Sequence, residues 1–428
     1  MISVSLLRAA RIRISVPLIA VAFLQRPHVR QYHASQTPPP EYRCGIDAEP
    51  LHRYRPGGYH PVALGDSLND KRYKVLHKLG WGSYSTTWAA KDQLHNRYVA
   101  LKITVAEAKR SNEIEILQKL AATPRNHDGS CYVNQMLDHF TVIGPNGSHD
   151  CLVLELVGPN VSDVIVSHCS DGRLPSRAAR SISSQVLQGL DYLTSNDIGH
   201  GDLHTRNIAL KIPGLHLLSE GDFIARLGEP KMGSVTRQDG KPLSSNIPTH
   251  IVQPSSFRNK DVQTLLSVPS IKIIDFGEAF FNYDAPKTLH TPLPVRAPEL
   301  VFGDPLNNQV DLWSAGCLIF ELVTGQPPFN VIMLTPPMLV QQMIELIDDD
   351  LPSRWHLKWQ EMRSKASNEE DTWTLQSWME EVYFDKDKHP DFTRDEFRAA
   401  AKLIARLMKF EPSLRALPTD ILTEPWLQ

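Results

Sequence analysis

Three polar residues in one short segment carry the chemistry that this chain most clearly offers. His200, Asp202 and Asn207 lie within Gly199–Asn207, and the asparagine follows the aspartate by five positions. A carboxylate in such a loop can orient a hydroxyl group and accept its proton, while the amide oxygen can hold a divalent metal ion. Simple polar turns have similar compositions, so the assignment to phosphoryl transfer depends on other segments.

A second carboxylate follows an apolar run downstream. The run Ile271–Ile274 predicts a short buried strand, which leads directly into the tripeptide Asp275–Gly277. At the end of this strand, Asp275 is expected to face a phosphate-bound magnesium ion together with Asn207. The simpler interpretation is an Asp-x-Gly turn after a strand.

A glycine-rich turn interrupts a strand pattern upstream. Tyr73–Leu79 alternates as a strand and breaks at Gly80, and strand chemistry resumes at Thr86. A hairpin of this kind lets backbone N–H groups approach phosphate, although Ser85 stands where a third glycine is usual. The residues predicted to contact a nucleotide here are Leu79, Gly80, Trp81, Gly82, Ser83, Tyr84, Ser85 and Thr87.

One lysine lies inside the apolar strand pattern of Tyr98–Ile103. An unpaired ammonium group would be costly there, so Lys102 is expected to meet phosphates and a carboxylate. Glu113 is the expected partner, on the flank of a helix predicted from Glu107 to Leu120, and Glu115 is the competing choice.

Five residues follow one another in the same order as in the eukaryotic protein kinases, namely Lys102, Glu113, Asp202, Asn207 and Asp275. The resemblance to that family extends from about Tyr54 to the end of the chain. Val295–Glu299 is similar to the Ala-Pro-Glu segment of that family, and Asp311–Gly316 is similar to the start of its central buried helix. The resemblance implies an α+β fold with a small β-rich N-lobe and a larger helical C-lobe. It also implies a buried ion pair between Glu299 and Arg415.

The same resemblance assigns roles and cofactors. ATP and Mg²⁺ are the implied cofactors, and Asp202 is the implied catalytic base. Lys102, oriented by Glu113, would hold the α- and β-phosphates, while Asn207 and Asp275 would hold magnesium. Catalysis would then consist mostly of positioning and electrostatic stabilisation.

The resemblance also implies domain boundaries. Adenine would bond to the hinge backbone at Glu155 and Val157. The kinase domain is expected at 73–427, with the N-lobe at 73–153, the hinge at 154–158, the C-lobe at 159–427 and an insertion at 213–270.

Within the family, two segments are similar to the SR-protein kinases, which phosphorylate arginine/serine-rich splicing factors. These segments are Tyr54–Val62 and Leu79–Gly82, where Trp81 stands between the glycines. Gly228–Pro230 and Asp275–Phe280 resemble the fungal branch of that group. A serine/threonine kinase acting on protein hydroxyls, with Arg/Ser-rich splicing factors as partners, is therefore expected.

Two alternatives remain open at this stage. His-Gly-Asp-Leu-His also resembles the catalytic loop of aminoglycoside and choline kinases, which act on small molecules. His204 stands where most serine/threonine kinases carry a lysine, and Arg206 is the residue that could supply the missing charge. This departure, with the absent third glycine, also suggests a pseudokinase that serves as a scaffold.

The residue before the catalytic aspartate bears on regulation. Many kinases place an arginine there to bind an activation-loop phosphate, whereas this chain has Gly201. Thr288, Thr291 and Tyr283 are the hydroxyl residues between Phe276 and Glu299. We therefore expect a kinase that is active as synthesised.

The C-lobe is expected to be helical. Ser181–Leu193 and Asp311–Thr324 are predicted helices, and the second is nearly all apolar and must be buried. The insertion at 213–270 is rich in Pro, Ser and Gly, and a structureless loop of that length is usually functional or disordered. Four tryptophans are expected to pack in the core, namely Trp355, Trp359, Trp373 and Trp378.

Composition excludes several other classes of function. The 428 residues carry a formal net charge of −3, so no global attraction to nucleic acid or membranes is expected. The acidic runs 348–350 and 369–371 are expected to be solvated faces, with attraction of arginine-rich peptides as the alternative. The five cysteines show neither paired nor zinc-binding spacing. A monomer without a transmembrane segment is expected.

The first residues form a separate problem. Residues 1–36 contain five arginines and no acidic residue precedes Glu41, which resembles a mitochondrial presequence over residues 1–35. The apolar run Val16–Leu24 is too short to span a bilayer. A disordered basic tail on a cytoplasmic or nuclear kinase is the alternative, and residues 37–72 are expected to form an N-terminal extension and linker.

Overall fold

The structure is a computed structural model that describes residues 41–108, 112–124, 126–257, 259–331, 333–363, 374–384 and 389–428. Tyr42–Gln428 form one compact unit. The predicted presequence, Trp373 and the acidic run 369–371 lie outside the described residues. No helix in the described ranges is long and apolar enough to cross a membrane.

Fourteen strands are described, most of them short. In chain order they are β1 (Tyr42–Arg43), β2 (Ser67–Leu68), β3 (Tyr73–Gly82), β4 (Ser85–Asp92), β5 (Arg97–Thr104), β6 (Met136–Gly144), β7 (Gly147–Glu155), β8 (Ile198–Gly199), β9 (Ile208–Leu210), β10 (Met232–Ser234), β11 (Thr236–Arg237), β12 (His250–Val252), β13 (Ile271–Ile273) and β14 (Phe280–Phe281).

Six of these strands form the antiparallel sheet of the N-lobe, in the order β2-β3-β4-β5-β7-β6. Successive side chains of a strand point to opposite faces. Val99, Leu101 and Ile103 of β5 therefore pack in one buried cluster, here called the outer face of the sheet. Lys102 points to the other side, here called the cleft face.

Twelve α-helices are described, and all but α1 belong to the C-lobe side of the chain. They are α1 (Glu113–Ala122), α2 (Val161–His168), α3 (Ser176–Ser195), α4 (Glu220–Leu227), α5 (Asn259–Ser267), α6 (Pro298–Phe302), α7 (Val310–Thr324), α8 (Pro336–Leu346), α9 (Ser353–Met362), α10 (Leu375–Tyr383), α11 (Arg394–Leu407) and α12 (Pro418–Leu422).

The core of the C-lobe surrounds α7. Every residue of this helix except Glu321 is buried, as the apolar run predicts. Trp355 is also buried and its ring stacks on Phe302 with centroids 4.6 Å apart. Trp359 and Trp378 are half-buried against the same core, so the expectation of core packing is confirmed for the tryptophans that are described.

Two helices begin at other residues than the sequence pattern predicts. The helix expected from Glu107 starts at Glu113, because Glu107 is engaged elsewhere: its N–H donates to Gly57 O at 2.7 Å and its carboxylate pairs with Arg55. The helix expected from Ser181 begins earlier, at Ser176, directly after Pro175. Its first turns are polar in sequence and show no apolar pattern, but Ala178 and Ala179 within them are buried.

Two strand boundaries also differ from expectation. β3 does not break at Gly80 but continues to Gly82, so the turn of the hairpin consists of Ser83 and Tyr84. β7 ends at Glu155, inside the range 154–158 expected for the hinge. Cross-strand pairing with β4 and β5 extends both strands, and such pairing is invisible to a local pattern.

The described residues of the insertion, 213–257 and 259–270, form helices and strands and are not structureless. The insertion contains α4, α5, the strand pair of β10 with β12 and the strand β11, and Ser219 caps α4 by accepting a hydrogen bond from Asp222 N at 3.1 Å. Phe223 of α4 stacks on Tyr98 of β5 with ring centroids 3.8 Å apart. The Tyr98 hydroxyl donates to Leu218 O at 3.0 Å, so the insertion packs against the N-lobe.

The N-terminal extension is likewise part of the packed unit. Tyr54 and Tyr59 are buried in a cluster with Val105 and with Val235 and Ile251 of the insertion. β1 of the extension pairs with β11 of the insertion. The compact unit therefore continues upstream of residue 73, where the motifs place the start of the kinase domain.

Candidate active site

Lys102 of β5 joins two carboxylates at the cleft face. Its Nζ lies 2.6 Å from Glu113 Oε1 of α1 and 2.7 Å from Asp275 Oδ1, so the predicted Lys102–Glu113 pair is present. Burial disfavours the ammonium, but the two carboxylates outweigh this effect and raise the pKa of Lys102. Glu115, the competing partner, is exposed.

The loop that carries Asp202 is hydrogen-bonded to α7. Asp311, in the first turn of that helix, accepts hydrogen bonds from His200 N at 2.6 Å and Gly201 N at 2.9 Å. The His200 ring makes a 3.0 Å contact with Ile274 O through Nε2 and packs edge-on against Phe276. One buried carboxylate and one imidazole therefore connect the loop to both the central helix and the segment that carries Asp275.

One carboxylate oxygen of Asp202 is hydrogen-bonded within the loop, and the other is not. Asn207 Nδ2 donates to Asp202 O at 2.8 Å and to Asp202 Oδ2 at 3.2 Å. Asp202 Oδ1 is buried and has no hydrogen-bond partner in the part of the chain that the structure describes. A buried carboxylate oxygen without a partner is costly, and a substrate hydroxyl would satisfy it.

His204 lies against the same carboxylate. Its Nε2 is 3.5 Å from Asp202 Oδ2, and its Nδ1 accepts a hydrogen bond from Arg206 N at 3.2 Å. An imidazole that accepts at Nδ1 carries its hydrogen at Nε2, so a donor faces Asp202. Arg206, the residue expected to supply the missing charge, is half-buried nearby.

Asp275 and Asn207 fit the chemistry of a magnesium site. The Asp275 side chain is 51% exposed and the charge of Lys102 lowers its pKa to about 2, so it is ionised at neutral pH. Magnesium is commonly bound by one or two protein oxygens together with substrate phosphates. Among the described residues, no group of three or more His, Cys, Asp and Glu side chains forms a metal site, so phosphate oxygens would complete the ligand set.

The predicted nucleotide contacts of the hairpin lie on β3, on β4 and in the turn between them. Thr87 of β4 is paired directly with Lys102 of β5 in the register of the sheet. Leu79 and Leu154 are partly buried beside Ala100 and so border an apolar region next to the lysine. The turn residues Ser83 and Tyr84 are exposed, while Gly80, Trp81, Gly82 and Ser85 belong to the paired strands that lead into the turn.

The hinge presents its backbone rather than a side chain. The Glu155 carboxylate pairs with buried Lys272 at 2.7 Å and the Glu155 N–H donates to Gln135 O at 2.9 Å, so neither group is available to a nucleotide. Gly158 N donates to Leu210 O at 2.7 Å, whereas the backbone of Val157 bonds to no other backbone group in the described ranges. The edge of an adenine, which offers a donor and an acceptor side by side, would bond to the backbone of Val157.

The residues from Phe276 to Glu299, here called the activation segment, are held by contacts that the motifs do not reveal. The buried Thr291 hydroxyl donates to Gly201 O at 2.7 Å, and the Arg296 guanidinium donates to Thr291 O at 2.6 and 2.9 Å. His290 pairs with Glu278 at 2.8 Å. The only sequence signal for this arrangement is Gly201, whose φ of 75° belongs to the left-handed region that favours glycine.

The predicted buried pair beneath that segment is present. Arg415 donates from both terminal nitrogens to the two oxygens of Glu299, each at 2.6 Å, and both side chains are buried. A third hydrogen bond joins Arg415 to Gln309 O at 2.9 Å. Bidentate geometry of this kind fixes orientation as well as distance.

Comparison with known proteins gives the same assignment as the geometry. The family model described as the protein kinase domain matches residues 73–223 and 260–427. A crystal structure of a kinase domain superposes with a TM-score of 0.59 at 21% identity and covers 86% of this chain and 99% of its own, which shows the fold.

Three curated relatives illustrate the range of similarity. The serine/threonine-protein kinase SRPK of Physarum polycephalum is 29% identical over 403 residues, which are 87% of this chain and 90% of that protein. Protein kinase dsk1 of Schizosaccharomyces pombe is 26% identical over 465 residues, covering 88% and 84%. Human SRSF protein kinase 3 is 37% identical over 188 residues, covering 41% and 33%.

Protein kinases in general use ATP and Mg²⁺, in agreement with the donor groups described above. Because the family model matches most of the chain and the constellation of Lys102, Glu113, Asp202, Asn207 and Asp275 is assembled in one cleft, the chain belongs to the protein kinase family.

Proposed function

We propose that this protein is an ATP-dependent serine/threonine kinase that transfers the γ-phosphate to hydroxyl groups of Arg/Ser-rich proteins. The unpartnered, buried Oδ1 of Asp202 carries the assignment of activity, because a scaffold without turnover has no need of it. The names of the relatives, all protein kinases and one an SRSF protein kinase, support the class of substrate.

Each residue of the candidate site has a separate role in the proposed phosphoryl transfer. Asp202 Oδ1 would accept a hydrogen bond from the substrate hydroxyl, and Asn207 keeps the other oxygen in place. Lys102 would exchange part of its contact with Asp275 for the α- and β-phosphates while Glu113 fixes its direction. Magnesium held by Asn207 and Asp275 would neutralise charge on the phosphates.

His204 is proposed as the phosphate contact that replaces the usual lysine. Its Nε2 already faces the Asp202 carboxylate, and Arg206 adds a positive charge to the same loop. A neutral imidazole is a weaker phosphate ligand than an ammonium group. Turnover slower than that of kinases with the lysine is therefore expected.

Asp202→Asn is the decisive variant for this proposal. It removes the base but keeps the shape of the side chain, so turnover should fall by more than about 10³-fold while ATP still binds. Lys102→Met should weaken both turnover and ATP binding. Phosphorylation of a peptide with labelled ATP and calorimetric titration with ATP would measure the two effects.

Asp284→Asn is the matched control, because Asp284 is exposed and lies in the same half of the chain. It should behave like the natural protein. Near-normal phosphorylation by purified Asp202→Asn would contradict the proposed mechanism.

The proposed substrate class also has a test of its own. Asp348 and Asp350 are exposed on the C-lobe, and exposed carboxylates attract arginine-rich peptides in a manner that salt screens. A panel of Arg/Ser peptides, myelin basic protein and aminoglycosides should give turnover with the peptides, and a KM that rises with ionic strength. A preference for acidic flanks around the accepting serine would exclude this substrate class.

The same panel separates the alternative activity. Small-molecule phosphotransfer would appear as turnover of aminoglycosides, but the Glu299–Arg415 pair and the match to the protein kinase domain favour a protein substrate.

For localisation, we propose that residues 1–35 direct the protein to mitochondria, on the basis of their arginine-rich, acid-free composition. A fluorescent protein fused after residue 35 should then label mitochondria. A diffuse cytoplasmic or nuclear signal would favour a basic tail.

A further inference from the structure

The motif Tyr54–Val62 marks this chain, yet none of its residues takes part in the reaction described above. The structure places the motif against the glycine-rich hairpin. The Tyr59 hydroxyl donates to Gly82 O at 2.6 Å, and the Arg53 guanidinium donates to Ser83 O. The Arg53 guanidinium also lies 5.2 Å from the centroid of the Tyr59 ring, so the two side chains act together.

The motif approaches the hairpin from the outer face of the sheet. Val62 packs in the cluster of Val99, Leu101 and Ile103, which is opposite to the face that carries Lys102. Tyr59 packs on Val105, which continues the same alternation along the chain. The hydroxyl of Tyr59 therefore reaches Gly82 from the side away from the nucleotide.

The hydrogen bonds on the outer face also determine the direction of the N–H groups in the turn. In a trans peptide unit the carbonyl and the N–H of the next residue point in opposite directions. With the Gly82 and Ser83 carbonyls drawn outward, the N–H groups of Ser83 and Tyr84 point toward the cleft face. Neither N–H donates to a backbone acceptor in the part of the chain that the structure describes.

The third carbonyl of the turn is fixed in a similar way, since Val105 N donates to Tyr84 O at 2.8 Å. Three successive carbonyls, those of Gly82, Ser83 and Tyr84, are therefore bonded to groups that belong to the outer face or to the end of β5. The adjacent N–H groups of Ser83 and Tyr84 therefore point the same way, and backbone N–H groups arranged like this form a concavity that binds anions.

The motif is rigid enough to impose this orientation. Asn146 Nδ2 donates to Tyr59 O at 2.6 Å, and Gly57 N donates to Asn146 O at 2.7 Å. A Cβ added to Gly58 would lie 1.9 Å from Arg53 O, so the turn between Arg53 and Tyr59 closes only with glycine at this position. The backbone that carries Arg53 and Tyr59 is therefore held in place by these contacts.

We propose that Tyr59 and Arg53 are positioning residues for phosphoryl transfer: they orient the Ser83 and Tyr84 N–H groups toward the phosphates of the nucleotide. The inference rests on the proposed ATP-dependent activity. It assigns to the N-terminal extension a function in binding the phosphate part of the nucleotide, and none in binding adenosine.

Tyr59→Phe tests the proposal, because it removes the hydroxyl and keeps the ring. Loss of one such hydrogen bond should weaken binding of Mg-bound, non-hydrolysable ATP analogue by roughly three- to ten-fold. Binding of adenosine and the KM for peptide should stay unchanged. Titration calorimetry and initial rates at varied ATP would measure these values, with the thermal midpoint recorded for each variant.

Tyr54→Phe is the matched control. Tyr54 lies in the same motif with its ring 5.5 Å from that of Tyr59, but its hydroxyl donates to Glu49 and not to the hairpin. It should leave the affinity for both ligands unchanged even if the thermal midpoint falls. Arg53→Met offers a second route, since it removes the contact with Ser83 and should also weaken the analogue selectively.

The outcomes distinguish failure of the role of Tyr59 from failure of the proposed kinase activity. An equal loss of affinity for adenosine and analogue, or no loss for either, would overturn the role of Tyr59 while the natural protein remains an active kinase. Failure of the natural protein to bind the analogue at all would overturn the proposed function, and the inference with it.

Discussion

The glycine-rich hairpin and the activation segment lie on either side of the catalytic cleft and are held in different ways. The hairpin is held by Tyr59 and Arg53, which precede the part of the chain that matches the kinase family model. The activation segment is held by the Thr291 hydroxyl on Gly201, and both of these residues lie inside the matched part.

Each of these segments also lacks a residue that is usual in the family. Ser85 replaces the third glycine of the hairpin, and Gly201 replaces the arginine that would bind a phosphate on the activation segment. In both places the structure supplies fixed hydrogen bonds to backbone carbonyls. The comparison shows that order at a kinase cleft can be built from hydrogen bonds within the chain, one set of them from residues that precede the matched family model.

The largest expected effect concerns the attachment of the extension. Lys78 and Glu49 form an ion pair in which both side chains are fully buried, and burial lowers the pKa of Lys78 against the opposing charge of Glu49. Lys78→Met would leave the Glu49 carboxylate buried without a counter-charge, which costs about 3–5 kcal/mol of unfolding free energy. Urea unfolding would measure the loss.

The double variant Lys78→Met with Glu49→Gln is the control for that prediction. It removes both charges and keeps an acceptor for the Tyr54 hydroxyl, so most of the stability should return. If the double variant were as unstable as the single one, the ion pair would not be the cause.

The second-largest effect concerns the activation segment. A Cβ at Gly201 would lie 2.6 Å from Glu278 O and 2.9 Å from Leu289, so Gly201→Arg must displace the activation segment. We expect a loss of about 100-fold in kcat/KM, which corresponds to ~2.7 kcal/mol. Initial rates on one peptide substrate would measure it.

Gly240→Arg is its matched control, because Gly240 has a similar φ of 72° and no atom within 4 Å of an added Cβ. It should lose little activity. A comparable loss at both positions would mean that backbone strain, and not the contact with Glu278, is responsible.

A smaller effect should appear as a pH dependence of the extension's packing. Burial, with the neighbouring His149, lowers the pKa of His60 to about 4, against a weaker opposing effect of Asp66. The unfolded chain therefore binds this proton below pH 6.5 and the folded chain does not, so stability falls as pH decreases from 6.5 toward 4. The loss is about 2 kcal/mol by pH 5.

His60→Asn should flatten the difference in unfolding free energy between pH 7 and pH 5 by about that amount. His216→Asn, at an exposed position, is the control and should leave the difference as it is. An unaltered slope in His60→Asn would assign the pH dependence to other groups.

The smallest effect is expected where many kinases show a large one. Thr288 is exposed, whereas Thr291 is buried and bonded to Gly201 O, so Thr288→Ala isolates phosphorylation from packing. Phosphatase treatment and Thr288→Ala should each leave initial rates within about two-fold. A drop beyond about tenfold, or ~1.4 kcal/mol of barrier, would show that loop phosphorylation is needed.

The sequence predicts which residues come together in the candidate site, because each one is part of a short motif with a chemical reason for its spacing. Lys102 and Glu113 meet as expected, and Asp202 and Asn207 lie in one loop. Local patterns also predict α7, since a helix that is apolar on all sides must be buried.

The sequence fails where a residue's role is decided by a distant partner. Glu107 carries a helical pattern but bonds to Gly57, and Phe223 lies in a Pro/Ser/Gly-rich segment but stacks on Tyr98. The extension shows neither helical nor strand periodicity in its apolar residues, because its described elements before residue 73 are only two or three residues long. Long-range contacts of this kind cannot be read from composition or periodicity.

The burial of Glu49 against Lys78 has a practical consequence for producing the kinase in recombinant form. A chain shortened to begin at residue 73, where the family model begins, would strip the partner from a buried ammonium and uncover the apolar surface around Val105. Such a truncation should yield insoluble material, whereas one that begins at Tyr42 keeps the packed unit whole.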